Sequence, residues 1–424
     1  MYLKRLFLKS EFTKNTFVLV LGTVLAQTIP LIIHPFLRRI YTPEDFGAMA
    51  VFLSLFSMVT IVSALRYEVT IVLPKNNSEA ANVLALTFFI SLFFNLLAFV
   101  VLYFFKEPII DAIVLPHKFS NFIFFLPITS FLYSMYQSMN YWLIRQKAFK
   151  ASSLNKIVRR SVEGVIQLVL GIFKFPGGLF VGDLLGNLSN VLSGVFQISK
   201  KAFSTNVITK RKMGYVLKKY IDYPKYNVIP TLLSSAASLL PFLFVNKFYS
   251  TETVGYLDLS RMVLSIPLIF ISATISQVLF QQITEKSHQL KSIKNDLLNI
   301  SYLLIAIISI EAILLFLFGN SLFQFIFGEK YIMSSYFSKI LIFSFSVNFI
   351  YATFSSVYVT FNKIKINSFW QVLYFCSICL LLFFKELAIY DFLKIYVIIE
   401  VIMLSINILM MLSIVNKYEK SILQ

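Results

Sequence analysis

The sequence predicts an all-α integral membrane protein of about 12 transmembrane helices in two halves of six. Three observations predict it. Of 424 residues, 58% are hydrophobic and only 14% charged, whereas a soluble domain carries about a quarter charged residues. Long apolar runs recur along the whole chain, at the length of roughly 20 residues that a helix rising 1.5 Å per residue needs to cross a bilayer. A short polar turn in the first half is also echoed in the second.

The runs centre on residues 16–34, 46–65, 81–104, 119–142, 157–174 and 178–198, then on 227–247, 254–280, 297–318, 335–361, 366–384 and 388–414. They are apolar on all sides, as in Val83–Tyr103. Strands of an outer-membrane barrel would instead alternate in polarity over segments of about ten residues. Lys4, Arg5 and Lys9 precede the first run as in a signal peptide, but no small-residue cleavage site follows convincingly. That run is therefore read as a retained first span. The polar stretch Ser199–Lys225 is the longest non-membrane segment. It divides the chain into a bundle over 1–198, a basic cytoplasmic linker over 199–225 and a second bundle over 226–424.

The net charge of +18 would suggest nucleic acid in a soluble protein. Here no nucleic-acid motif is present, and excess Lys and Arg mark cytoplasmic loops. With the N-terminus inside, the inner segments hold about 27 of the 38 Lys and Arg and the outer loops about 10. The densest inner segments are Arg145–Arg160 and Lys200–Lys225. Both termini are placed in the cytoplasm.

The turn after the first run reads Arg39-Ile-Tyr-Thr-Pro-Glu-Asp-Phe-Gly47, and that after the seventh reads Lys247-Phe-Tyr-Ser-Thr-Glu-Thr-Val-Gly255. Tyr41 meets Tyr249, Thr42 meets Ser250, Glu44 meets Glu252 and Gly47 meets Gly255. A fainter echo sets Gln146-Lys147 and Ser152 beside Asn362-Lys363 and Ser368. Six spans between copies imply parallel halves, the architecture of alternating-access transporters.

Several chemistries are excluded or disfavoured. No Gly-x4-Gly-Lys-Ser/Thr phosphate loop occurs, so the chain does not hydrolyse ATP. His34, His117 and His288 are scattered and no His-x4-Asp spacing exists, which disfavours a membrane glycosyltransferase, polymerase or acyltransferase. Glu44-Asp45, with its echo, reads as a structural turn. Cys376 and Cys379 read as core residues on one helix face, not a metal or redox pair. No cofactor is expected.

The segment Arg38–Gly47, with Leu65-Arg-Tyr-Glu68 and Val72-Leu-Pro-Lys75, resembles the polysaccharide flippases of the multidrug/oligosaccharidyl-lipid/polysaccharide (MOP) exporter superfamily. The spans, the basic centre and the repeat agree over essentially the whole chain. The resemblance implies an O-antigen or capsule-type activity at the bacterial inner membrane. Undecaprenyl-diphosphate-linked oligosaccharide would move from the inner to the outer leaflet, and the resemblance implies two six-helix bundles around a central cavity lined by cations. The nearest rival is a small-molecule, multidrug-type exporter of the same superfamily.

Such a cargo needs fixed cations, and Arg suits phosphate because its planar fork bonds two oxygens at once. Candidates are Arg38 and Arg39 after the first run, Arg66 after the second and Arg261 inside the eighth. Arg261 is the sharpest, because a charge that deep costs roughly 2.5–3.5 kcal/mol on insertion scales. It faces a lumen or pairs with Asp258 one turn earlier. Arg66 could equally be an interfacial anchor or pair with Glu68, and Arg38 and Arg39 could only snorkel. Glu163, Asp183, Glu311 and Glu400 lie in apolar runs and are candidates for proton or sodium coupling, or for helix packing. Pro30, Pro127, Pro241 and Pro267, with Gly164 and Gly171, mark bends. The expected partners are the lipid-linked oligosaccharide, membrane lipid, glycosyltransferases and a polymerase, with the chain acting as a monomer.

Overall fold

The computed structural model describes residues 11–361 and 363–423, with side chains apart from those of 11–21, 23, 364, 423 and several positions between 267 and 288. Lys4, Arg5, Lys9 and Asn362, and the side chains of Pro267 and His288, fall outside that description. Among the described residues the chain is helical with no strand. It divides into two compact units, Met1–Ser235 and Ala236–Gln424.

The first unit opens with α1 (Glu11–Ile40), which runs through Pro30 and Pro35 without a break in its helical assignment. It stops at a turn that starts α2 (Pro43–Ser63): Thr42 caps the helix with a reciprocal bond to Asp45, and Pro43 fills the first position, where no N–H is needed. The expected structural role of the Glu44-Asp45 turn is this capping box, with Glu44 also paired to Lys118. A 3-10 segment, Tyr67–Val72, leads to α3 (Asn77–Phe104), capped by Asn76. The short α4 (Lys106–Ile113) and a 3-10 turn at His117–Phe124 precede α5 (Phe125–Arg145). Pro127 lies in the first turn of α5, where proline is tolerated, just after the 3-10 segment gives way to α-helix within the span His117–Arg145.

α6 (Phe149–Ile172) and α7 (Gly178–Ser199) follow. α6 packs along both α1 and α7, and glycines permit the approach. A Cβ on Gly164 would lie 2.3 Å from Ile33 Cδ1, and one on Gly182 2.3 Å from Gln167 Cγ. Gly164 and Gly171 are thus contact points for neighbouring side chains. Small residues at such contacts let membrane helices pack closely.

The basic stretch after α7 folds onto the end of the bundle through α8 (Lys210–Lys219). Its Val216, with Tyr220, joins Tyr67, Trp142 and Leu143 in one hydrophobic cluster. α9 (Asp222–Phe248) contains the division between units. In the second unit, α10 (Thr251–His288) is capped by Ser250, α11 (Lys294–Phe327) ends at Gly328 with φ 95°, and α12 (Ile332–Phe354) packs against α10, α11 and α15. A short α13 (Ser356–Thr360), α14 (Ile364–Cys379) and α15 (Ile389–Leu423) complete it. Leu304, Phe354, Tyr358 and Met411 belong to its main core cluster. Cys376 is exposed and Cys379 half-buried, so Cys376 is not the core residue expected. It sits on a helix surface where, in a membrane, lipid can take the place of protein contacts.

Nine helical segments among the described residues are long and apolar enough to cross a membrane. The other three expected runs lie in α1, α6 and α10. α6 falls short because Lys156, Arg159, Arg160 and Glu163 interrupt its apolar surface. α11 is the opposite extreme: only 11% of its most apolar window is buried, and Ile310, Ile313 and Leu314 point outward. That is the pattern of a helix facing lipid.

The repeat has a structural counterpart. Tyr41 Oη donates to the Gln167 carbonyl at 2.8 Å, and Tyr249 Oη donates to the Leu387 carbonyl, also at 2.8 Å. Thr42 and Ser250 cap the helices that follow. The matched tyrosines therefore each donate to a backbone carbonyl, one inside α6 and one just before α15.

Candidate functional site

In the first unit, charged side chains are enclosed on α1 and between α6 and α7. Arg38 is fully buried, with its Cζ 3.6 Å from the centre of the Phe46 ring, while Arg39 is exposed. Two adjacent residues with one sequence reading thus have different environments. Guanidinium on an aromatic face is favourable because the ring's negative face meets the cation.

Between α6 and α7, Arg159 Nη2 lies 3.3 Å from Asp183 Oδ1 and its Nε 4.0 Å from Glu163 Oε2. Arg160 Nη1 is 3.0 Å from Glu163 Oε2. Asn187 Nδ2 also donates to Asp183 Oδ1, at 3.2 Å, and Tyr133 lies 5.6 Å from the Arg159 guanidinium. The side chain of Asp183 is 2% exposed and that of Arg159 16%. Glu163 and Asp183, candidate coupling acids, are therefore brought together and held by two arginines. The sequence reading counted Arg159 and Arg160 among loop charges. Its own bounds for the fifth run, 157–174, enclosed both, and the spacing i, i+1, i+4 with Glu163 was the available signal. Gly186 makes the closeness possible, since a Cβ there would lie 2.9 Å from Glu163 Cβ.

At the far end of α2, Leu65 and Arg66 take left-handed φ values of 50° and 63°. Such backbone costs of order 1–3 kcal/mol per non-glycine residue and persists only where its surroundings enforce it. Here it turns Arg66 so that Nε donates to Asn227 Oδ1 at 3.1 Å and Nη1 to Glu68 Oε1 at 3.4 Å. Pairing with Glu68 is thus realised. Burial pushes the Glu68 carboxyl above its ordinary value, against the pull of a backbone hydrogen bond and Arg66.

In the second unit, Asp258, Arg261, Met262, Ser265 and Phe345 line a cavity of about 310 Å³. Arg261 Nη1 donates to the Ser238 carbonyl at 3.0 Å, and its Cζ is 4.7 Å from the centre of the Phe242 ring. Asp258 and Arg261 therefore share a cavity wall. Glu400 accepts from Tyr374 Oη at 2.9 Å, and Tyr374 stacks on Trp370 with ring centres 5.2 Å apart. Glu311 is half-buried on α11, and its Oε2 has no hydrogen-bond partner among the described residues. Of the ten candidates, the structure brings together Arg66 with Glu68, Glu163 with Asp183, and Asp258 with Arg261.

A family model described as "Polysaccharide biosynthesis protein" matches residues 36–336, well over half of the chain. The chain belongs to that family. The likeness to a polysaccharide family read from Arg38–Gly47 and Leu65–Glu68 agrees with that description. Among solved structures, the lipid II flippase MurJ in an inward closed conformation is similar, with a TM-score of 0.74 and 14% identity over 95% of this chain and 91% of that one. An inward-facing multidrug resistance MATE family transporter of the MOP superfamily has a TM-score of 0.72 and 11% identity, covering 94% and 99%. The Vibrio cholerae MATE transporter VcmN, as a mutant, has a TM-score of 0.60 and 12% identity, covering 97% of each chain. These likenesses establish the fold of this polysaccharide biosynthesis family member. No curated protein matches it.

Proposed function

We propose that the chain is a flippase, not an enzyme, that moves undecaprenyl-diphosphate-linked oligosaccharide from the cytoplasmic to the outer leaflet of a bacterial inner membrane by alternating access. The observation that carries this reading is Arg261 on the wall of a cavity of about 310 Å³, beside Asp258 and Ser265. A cation there answers a diphosphate, and hydroxyl and carboxylate groups answer sugar hydroxyls. That volume lies at the low end of ligand pockets, which run about 300–1,000 Å³, so it would hold the headgroup while the prenyl tail stays in lipid. The family description supports a polysaccharide cargo. Twelve spans with both termini cytoplasmic, a monomer working beside glycosyltransferases and a polymerase, and surface polysaccharide of O-antigen or capsule type complete the proposal. An inside-negative potential favours outward movement of a diphosphate with about two charges by roughly 4–5 kcal/mol per 100 mV. Proton or sodium coupling through Glu311 or Glu400 would add to this. Coupling through Glu163 or Asp183 would first have to open their pairs with Arg159 and Arg160.

The fold likeness to a multidrug resistance transporter supports a second reading, export of a small molecule. Proteoliposomes loaded with undecaprenyl-diphosphate oligosaccharide separate the two. Protein-dependent exposure to an external glycosidase, scaling with an imposed potential or ion gradient, is expected for the flippase. No exposure with folded protein and native cargo selects the exporter.

A further inference from the structure

We propose that α8 is an interfacial anchor whose outward face binds the headgroups of anionic phospholipids. Residues 199–225 hold eight Lys and Arg against one acid, Asp222. In a loop such a run would be solvated. Here it is built onto the bundle at a fixed depth. Thr209 N donates to Asn82 Oδ1 at 3.0 Å, Lys212 Nζ donates to Ser78 Oγ at 3.1 Å, and Lys219 Nζ lies 2.6 Å from Glu79 Oε1. Tyr67 Oη donates to the Leu217 carbonyl at 2.9 Å. Ser78, Glu79 and Asn82 form the first turns of the span α3, so α8 sits where a span enters the membrane, at the level of the headgroups.

The helix is two-sided. Val216 and Tyr220, four apart, are buried against the bundle. Arg211 and Lys218, seven apart and hence on one face, are exposed together with Lys210. They are flanked by apolar side chains left uncovered: Tyr215 is 58% and Leu217 38% exposed. Cations interleaved with an aromatic and an aliphatic side chain, on a helix held at headgroup depth, match an anionic lipid surface in charge and polarity. A solvated face would have no use for the uncovered Tyr215 and Leu217. This inference does not depend on what the chain transports.

The test uses the full chain in lipid nanodiscs with Tyr215→Trp as a fluorescent reporter, the signal of Trp142 and Trp370 in the parent chain being subtracted. Brominated phosphatidylglycerol and brominated phosphatidylcholine are compared as quenchers at equal mole fraction. Preferential quenching by phosphatidylglycerol is expected, with the preference falling about fivefold for each charge removed in Arg211→Gln and Lys218→Gln. Raising the salt concentration on the unsubstituted Arg211 and Lys218 background should weaken it likewise, which guards against misfolding of the variants. Equal quenching by both lipids would leave only apolar insertion, and no quenching would place the face in water. Either result overturns the proposal.

Discussion

Replacing Arg159 by Met tests whether the buried charges of α6 and α7 hold the first unit together. At 3.3 Å from Asp183, and with an effective dielectric constant of about 20, the attraction is about 5 kcal/mol. Withdrawing the two ions from water costs several kcal/mol each, so the intact pair contributes little net stability. Breaking it from one side is another matter. Glu163 would keep Arg160 at 3.0 Å, but Asp183, 2% exposed, would keep only a neutral donor, the Asn187 amide at 3.2 Å, in place of the guanidinium. An uncompensated buried carboxylate of this kind costs about 3–5 kcal/mol. Asp183→Asn should cost less, about 1–3 kcal/mol, since Arg159 still faces Glu163 at 4.0 Å. The double variant, with both charges gone, should be more stable than the sum of the single losses predicts, by at least about 1 kcal/mol. Equilibrium unfolding of the purified chain in mixed micelles titrated with SDS gives all three values. Strict additivity, or an Arg159→Met variant as stable as the parent, would refute the reasoning.

Other variants test the remaining groups. Arg261→Ala should abolish surface polysaccharide in a producing host while leaving protein level and membrane insertion intact; normal polysaccharide would remove Arg261 from the site. Glu68 binds its proton more tightly in the folded chain than in the unfolded one, so stability should fall as pH rises above the ordinary value of 4.5 through the higher folded value. Glu68→Gln should flatten that slope in pH-dependent unfolding. Tyr41→Phe and Tyr249→Phe should each lower stability by about 1 kcal/mol, because each removes one equivalent bond to a carbonyl; unequal losses would count against the repeat. Gly182→Val should destabilise by about 1–3 kcal/mol or more through overpacking against Gln167, read as a lowered thermal midpoint.

How much of this was legible depends on where each signal is written. Hydropathy reads whole runs, so the helices could be seen. The echo of Tyr41 and Thr42 in Tyr249 and Ser250 was visible because capping and turn chemistry are local. The bond acceptors were not, since Gln167 and Leu387 contribute backbone carbonyls that no residue type announces. Arg261 stood out as the single cation in an apolar run. Arg159 did not, because several charges at the edge of a run look like a loop. What settles the matter is the partner side: Asp183, Gly182 and Gly186 on α7 make sense of Arg159 and Glu163 on α6 only when the two helices are placed together.

In lipid the usual inference from charge is inverted. The most charged long helix of the first unit, α6, lies between α1 and α7, and strongly apolar α11 carries the exposed surface of the second. Without water outside, charges are cheapest against each other, so a charged helix is drawn inward and apolar ones cover it. Two kinds of arginine within apolar runs follow. Arg159 closes on Asp183 and Glu163 and fixes packing. Arg261 opens on a cavity, with one arm tied to Ser238, and can present the rest of its fork to a ligand. Loss of the first should appear as loss of fold, and loss of the second as loss of transport by a folded protein. If Arg159→Met instead gave a stable chain without polysaccharide, the closed pair of the first unit would be part of the transport machinery.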